Sequence, residues 1–255
     1  MDYTWDTFSQ RVRMATKCRD CPLRRLDIFA TMSDVEIRYM EKFKVGELTI
    51  EPKTQILMEG SNSPQLFTAL RGMGLRYKLL PNGRRQVLNM VFPGDFIGLQ
   101  AGMLGEMKHS VEATTRMTLC VFDRNELWNF FRNHPDRAYD ITWLAAIEEH
   151  FLGAALATLG QRDARQRIAW SLVRVFLKGQ SLGMIDNGHM PFPFRQQDLA
   201  DALGLSLVHT NKTLARLRER QIANWVDGTL SINDLESLAD MAMLEIEPEP
   251  IRPLM

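Results

Sequence analysis

No run of the 255-residue sequence approaches the roughly 20 consecutive apolar residues that a membrane span needs. The opening stretch, MDYTWDTFSQRVR, lacks the apolar core of a secretory signal, so none is expected. Charge is not in surplus either: 31 Lys and Arg against 31 Asp and Glu give a formal net charge of zero. A neutral chain has no overall pull toward nucleic acid, so any DNA binding must come from a local basic patch. Cysteine is scarce, at three residues: Cys18, Cys21 and Cys120. An odd, low count without a signal argues against a disulfide framework and for a reducing, cytoplasmic setting with no membrane partner. There is no P-loop, G-x-S-x-G or H-E-x-x-H, and the sequence reads as a non-enzyme.

What is present changes texture along the chain. Ser33-Asp-Val-Glu36 is a capping-box pattern, which predicts a short helix to about Phe43. From Lys44 to Phe122 come short alternating stretches (LTI, QILM, LFTAL, LRYKLL, RQVLNMVF, TLCVF) broken by Gly or Pro turns. Pro81-Asn82-Gly83 between two such runs is a hairpin signal. Many short strands at regular spacing predict a small sandwich or barrel.

After Asp123 the pattern turns helical. Leu144, Ile147, Phe151, Ala154 and Thr158 are spaced 3, 4, 3, 4, the spacing of a coiled-coil seam. A plain core helix gives the same pattern, and about two heptads do not decide between them. A second helix, about Asp163 to Leu177, carries Ile168, Leu172, Val175 and Phe176. The Gly- and Pro-rich stretch Gly179 to Pro193 reads as loop or hairpin. The Pro-rich EIEPEPIRPLM is expected to be disordered. The predicted division is an arm at 1–32, a sensor barrel at 33–133, a dimerisation helix at 134–160, a DNA-binding domain at 161–245 and a tail at 246–255.

The sharpest local pattern runs from Arg195 to Arg218. Leu199, Ala200 and Leu203 form one apolar face. Gly204 permits a tight left-handed turn, Leu205 plugs the core, and Ser206 caps the next helix. Leu214 and Leu217 are that helix's buried stripe, which leaves Val208, His209, Asn211 and Lys212 facing outward. Such a helix-turn-helix presents the first turns of its second helix to base edges, where Asn and Lys supply donors matched to adenine and guanine. Lys212, Arg216 and Arg218 give the local positive charge that phosphates attract. Arg195, Ser206, Val208, His209, Asn211, Lys212 and Arg216 are the candidate DNA contacts. Ile222 to Ile232, with Asp227-Gly228 at its centre, reads as a two-stranded wing. A helical hairpin with solvated basic residues is the alternative, and the wing at this distance speaks against it.

From about Cys18 to Met243 these pieces, taken as a set, resemble the CRP/FNR family. Pro93-Gly-Asp-Phe-Ile-Gly98 looks like the family's barrel motif, the helix after the barrel like its dimer helix, and Gln197 to Ser206 like its helix-turn-helix. The resemblance implies an α+β fold: an N-terminal double-stranded β-helix barrel of the jelly-roll, cyclic-nucleotide-binding type, a long dimerisation helix and a C-terminal winged helix-turn-helix. It implies a homodimer acting on double-stranded palindromic DNA, with RNA polymerase as a partner. The cyclic-AMP branch has Glu after the Phe-Ile-Gly run and a later Arg-Ser pair. Here Leu99 follows Gly98 and Lys108-His109-Ser110 replaces the pair, which speaks against cyclic AMP.

The cysteines resemble the iron–sulfur branch of that family, whose arm carries Cys-x2-Cys-x5-Cys with a fourth Cys late in the barrel. Here Cys18, Cys21 and Cys120 stand at three of those positions and Asp27 at the remaining one. The resemblance implies a 4Fe–4S cluster on Cys18, Cys21, Asp27 and Cys120, with oxygen or redox state as the signal. The residues alone also allow Cys120 to be a small buried hydrophobe, and Cys18 and Cys21 to be a zinc half-site or plain thiols. A regulator without cofactor, governed by abundance, thiol oxidation or another small ligand, stays open beside the cluster.

Overall fold

The computed structural model describes residues 15–255, so the first part of the expected arm, 1–14, lies outside the described residues. The described arm begins as two short 3-10 turns, Cys18–Asp20 and Pro22–Arg25. Helix α1 (Asp34–Phe43) starts where the capping box places it: the Ser33 side chain accepts from the Glu36 backbone N–H, and Glu36 accepts from that of Ser33.

The alternating segment folds as β1 (Lys44–Ile50), β2 (Gln55–Leu57), β3 (Gln65–Arg71), β4 (Gly74–Leu79), β5 (Arg85–Val91), β6 (Phe96–Ile97), the short helix α2 (Leu99–Leu104), β7 (Ser110–Ala113) and β8 (Met117–Asp123). These strands make two antiparallel four-stranded sheets, ordered β1-β8-β3-β6 and β2-β7-β4-β5. Between them Leu57, Phe67, Val91, Ile97, Val111 and Leu119 are buried. Each such side chain contributes about 1.5–3 kcal/mol by leaving water. The Asn82-Gly83 turn closes the β4–β5 hairpin, with Gly83 at φ 79° and its N–H on the Leu80 carbonyl. Gly94, at φ +87°, is fixed for a second reason: a Cβ there would run into the Phe29 ring of the arm.

Helices α3 (Leu127–Asn133) and α4 (Pro135–Gln161) follow, then α5 (Ala164–Ser181), which an Asp163 capping box starts. Strand β9 (His189–Pro191) precedes α6 (Gln196–Leu203) and α7 (Leu207–Glu219). Strands β10 (Ala223–Val226) and β11 (Thr229–Ile232) pair with β9 in the order β10-β11-β9, and α8 (Leu235–Ala242) packs on α5. Asp227 and Gly228 both have positive φ, 51° and 71°, as a two-residue hairpin turn requires. Helix α5 runs to Ser181, four residues past the expected end, and the remainder of the Gly- and Pro-rich stretch holds β9. Among the described residues no helix is long and apolar enough to cross a membrane.

The tail at 246–255 departs from the expected disorder. Its acidic, Pro-rich part is mostly exposed, but Arg252 pairs with the arm: its N–H bonds the Ile28 carbonyl at 2.8 Å, and its carbonyl accepts from Ala30 at 2.9 Å. Beyond it Leu254 and Met255 are buried against the barrel. Composition reads a Pro- and Glu-rich stretch as unable to form a core. It cannot register that Leu254 and Met255 are buried against a barrel and arm distant in sequence.

Candidate DNA interface and sensor site

Gly204 adopts the left-handed conformation (φ 64°) that separates α6 from α7. The Ser206 side chain then caps α7, accepting from the His209 N–H at 3.2 Å. Thr210, Thr213 and Leu217 are the buried face of α7, and Leu214 is only half-buried. The opposite face is open: Val208 is 78 % exposed, and His209, Asn211, Lys212 and Arg216 are exposed with it. The expected base-reading residues thus share one solvent-facing surface, with Arg218 and Arg220 continuing the positive charge at the helix end.

Arg195 is placed differently from the rest. It begins α6, and its guanidinium holds the buried Asp198 carboxylate at 2.8 Å. Asp198 also accepts from Arg85 of β5, which reaches Asp201 at 2.8 Å. Gln86 adds a bond to the Ala202 carbonyl at 3.1 Å. Arg85 therefore docks α6 on the barrel's hairpin, a role the sequence signalled only as a basic pair after the turn. Burial raises the Asp198 carboxyl, but its bonds to Arg195 and then Arg85 outweigh that and hold it below the ordinary range.

Within the single chain, the residues expected to form a seam on α4 are buried or half-buried. Leu144 is buried, Phe151 stacks on Trp170 of α5 (centroids 6.1 Å apart), and Thr158 is fully buried and accepts from Arg162. Ile147 and Ala154 are half-buried on the same side. The outward face instead carries Thr142, Ala145, Glu149, Leu152 and Leu156, again three and four apart, with Leu156 72 % exposed. A helix apolar on both faces offers two seams of the same period, and spacing alone does not select one.

The arm brings Cys18 and Cys21 to β8. Both line a small cavity, about 30 Å³, with Cys120, Lys44, Thr68, Leu254 and Met255. Burial pushes the Cys120 thiol up to about 12, against the pull of the neighbouring Lys44 ammonium, and burial also raises Cys18. Lys44 is held in turn by Glu47 at 2.7 Å. Asp27 does not join this cavity. It is exposed, because the buried Ile28 and Phe29 that follow turn its side chain to the surface. Among the described residues no three His, Cys, Asp or Glu side chains stand close enough to hold a metal ion. Of the four residues expected to carry a cluster, Cys18, Cys21 and Cys120 thus line one cavity with room for little more than a water, and Asp27 lies outside it.

A second cleft, about 430 Å³, lies between the barrel and α4. Leu99, His109, Arg76 and Arg252 line it. Arg76 is taken up by Glu148 at 3.1 Å and the Phe96 carbonyl at 2.9 Å, and Arg252 by Asp95 at 3.0 Å. Burial, with Arg76 nearby, pulls the His109 imidazole down to about 4, so it is neutral at pH 7.

Comparison with known proteins agrees with this geometry. A family model described as a cyclic nucleotide-binding domain matches residues 47–134, and one described as a Crp-like helix-turn-helix domain matches residues 166–241. The nitrogen fixation regulation protein FixK of Rhizobium meliloti is 30 % identical over 196 residues, covering 76 % of this chain and 85 % of that protein. The protein of the same name from Bradyrhizobium diazoefficiens is 28 % identical over 236 residues, covering 87 % and 93 %. In fold, the chain is similar to the structure of FixK2 from Bradyrhizobium japonicum, with a TM-score of 0.69 at 22 % identity over 79 % of this chain and 98 % of that one. With a Crp-like helix-turn-helix behind a cyclic-nucleotide-binding-type barrel, and relatives that are regulators along most of its length, the chain belongs to the CRP/FNR family of DNA-binding transcription regulators.

Proposed function

We propose that this regulator binds a two-fold-symmetric operator as a homodimer, and that its arm thiols make operator binding respond to redox state. Helix α7 lies in the major groove, with Val208, His209, Asn211 and Lys212 toward base edges and Arg216 toward phosphate. Ser206 acts by capping that helix, and Arg195, tied to Asp198, by positioning α6. Two copies pair through the outward face of α4, where Leu152 and Leu156 are the exposed apolar residues. RNA polymerase is the partner that a regulator at a promoter meets. Cyclic AMP is a poor occupant of the cleft beside α4, because both arginines lining it are already paired and His109 is neutral.

The observation that carries the redox reading is the convergence of Cys18, Cys21 and Cys120 on one cavity, from two segments far apart in sequence. Oxidation of two thiols to a disulfide releases two protons and two electrons to a peroxide-class oxidant and shortens the span between the cysteines. A 4Fe–4S cluster would take the three thiolates and require a fourth ligand, and Asp27, the residue expected for it, is exposed outside the cavity. The test is protein prepared without air, assayed for iron and sulfide, with operator affinity followed through hydrogen peroxide and then dithiothreitol. Absence of stoichiometric iron, with an affinity change reversed by reductant and lost in the triple Cys→Ser variant, is the expected result. A full complement of cluster iron and sulfide overturns this reading in favour of a cluster.

A further inference from the structure

The cavity that gathers the thiols is also where the chain's last described residues end. Leu254 and Met255 are buried at 4 % and 5 % exposure and form one wall of it. Three independent anchors bring them there. The first is the parallel bridge between Arg252 and Phe29, on the arm itself. The second is the Arg252 guanidinium on Asp95 at 3.0 Å. The third is a pair of bonds to the backbone of the tail: Thr68 Oγ1 donates to the Met255 carbonyl at 2.6 Å, and the buried Arg137 donates to that of Leu254. Thr68 is the residue opposite Cys120 in the β3–β8 pairing, so the last anchor stands on the same rung as the thiol.

We propose that this slot is a peptide-binding site whose ligand is the chain's own segment 252–255, seated as a plug over Cys120. The site has the features of peptide capture: backbone hydrogen bonds to an extended segment, one fixed ion pair and a pocket for two apolar side chains. Asp95 ties the plug further, since it also accepts from Lys178 of α5 at 2.9 Å. An occupant of the thiol cavity larger than a water must displace Leu254 and Met255, which form its wall. Attachment of any group larger than a water to Cys120 and seating of the tail therefore exclude one another. This holds whether or not oxidation is the physiological signal.

The experiment follows alkylation of Cys120 by N-ethylmaleimide in the native, reduced full chain, resolved by site with mass spectrometry. Removal of residues 250–255 and Leu254→Glu should each accelerate modification of Cys120 at least tenfold. Ile251→Glu, at a position 66 % exposed, should leave the wild-type rate. A synthetic peptide of residues 246–255, added to the shortened chain, should restore slow modification. If the shortened chain fails to fold, the contrast between Leu254→Glu and Ile251→Glu still decides. Equal rates in wild type and Leu254→Glu, or equal acceleration by both point variants, would overturn the proposal.

Discussion

Lys178 Nζ lies 2.9 Å from Asp95 Oδ2, an ion pair that joins α5 to the Pro93-Gly94-Asp95 turn of the barrel. Burial alone would raise the Asp95 carboxyl, but Lys178, Arg252 and Arg76 outweigh it and hold the group far below the ordinary carboxylate range. Asp95→Asn leaves Lys178 and Arg252 facing each other without a counter-charge, and should cost about 3–5 kcal/mol of stability. Because the folded-state pKa is depressed, the carboxylate's contribution is complete above about pH 4 and is lost as pH falls further. Urea unfolding of wild type and variant measures it; a difference under about 1 kcal/mol would mean the pair adds little.

His109 has the same sign at a more accessible pH. Its folded-state value is lowered from 6.5 to about 4, so between those values the unfolded chain binds more protons. Stability should decline by about 2–3 kcal/mol as pH falls across that window and be flat in this respect above it. His109→Gln should remove that part of the slope, and an unchanged slope would assign it to other groups.

The two faces of α4 make opposite predictions. Leu156→Asp places a charge on the open face and should yield folded monomers with weak operator binding. Phe151→Asp buries a charge against Trp170 and should destabilise the fold itself by several kcal/mol. Sedimentation with thermal unfolding separates them. A tight dimer in Leu156→Asp would move the interface elsewhere.

This pair also marks where the sequence stops being informative. The capping box at Ser33 and Glu36, the Asn82-Gly83 hairpin, the Gly204 turn and the Asp227-Gly228 wing were legible because each is dictated by neighbours a few residues away. The open surface of α7 followed from the same local periodicity. The side of α4 that faces inward is decided by Trp170, and no local rule contains that partner. Asp27 kept a suggestive spacing, yet its direction is set by the burial of Ile28 and Phe29 beside it. The segment around Arg252 was read from composition, while its place depends on Asp95, Thr68 and Ile28, each more than 150 residues away.

Base reading and phosphate contact can be separated on α7. Asn211→Ala should weaken operator binding by about 1–3 kcal/mol and leave binding to random DNA nearly unchanged. Arg216→Ala should weaken both and lower the salt slope by about one. Titrations at several salt concentrations on operator and random duplexes check both, and equal losses on the two duplexes for Asn211→Ala would remove it from the base-reading set.

Gly94 bears on how freely this arm could be transplanted. The Phe29 ring occupies the volume a Cβ at position 94 would need, so the arm's seat is written partly into a barrel turn some 65 residues downstream. A chimera that moves residues 15–32 onto a related barrel with any side chain at that turn would inherit the cysteines but not their location. Phe29 and Gly94 have to travel together, and the thiol arm is to that extent not a portable module.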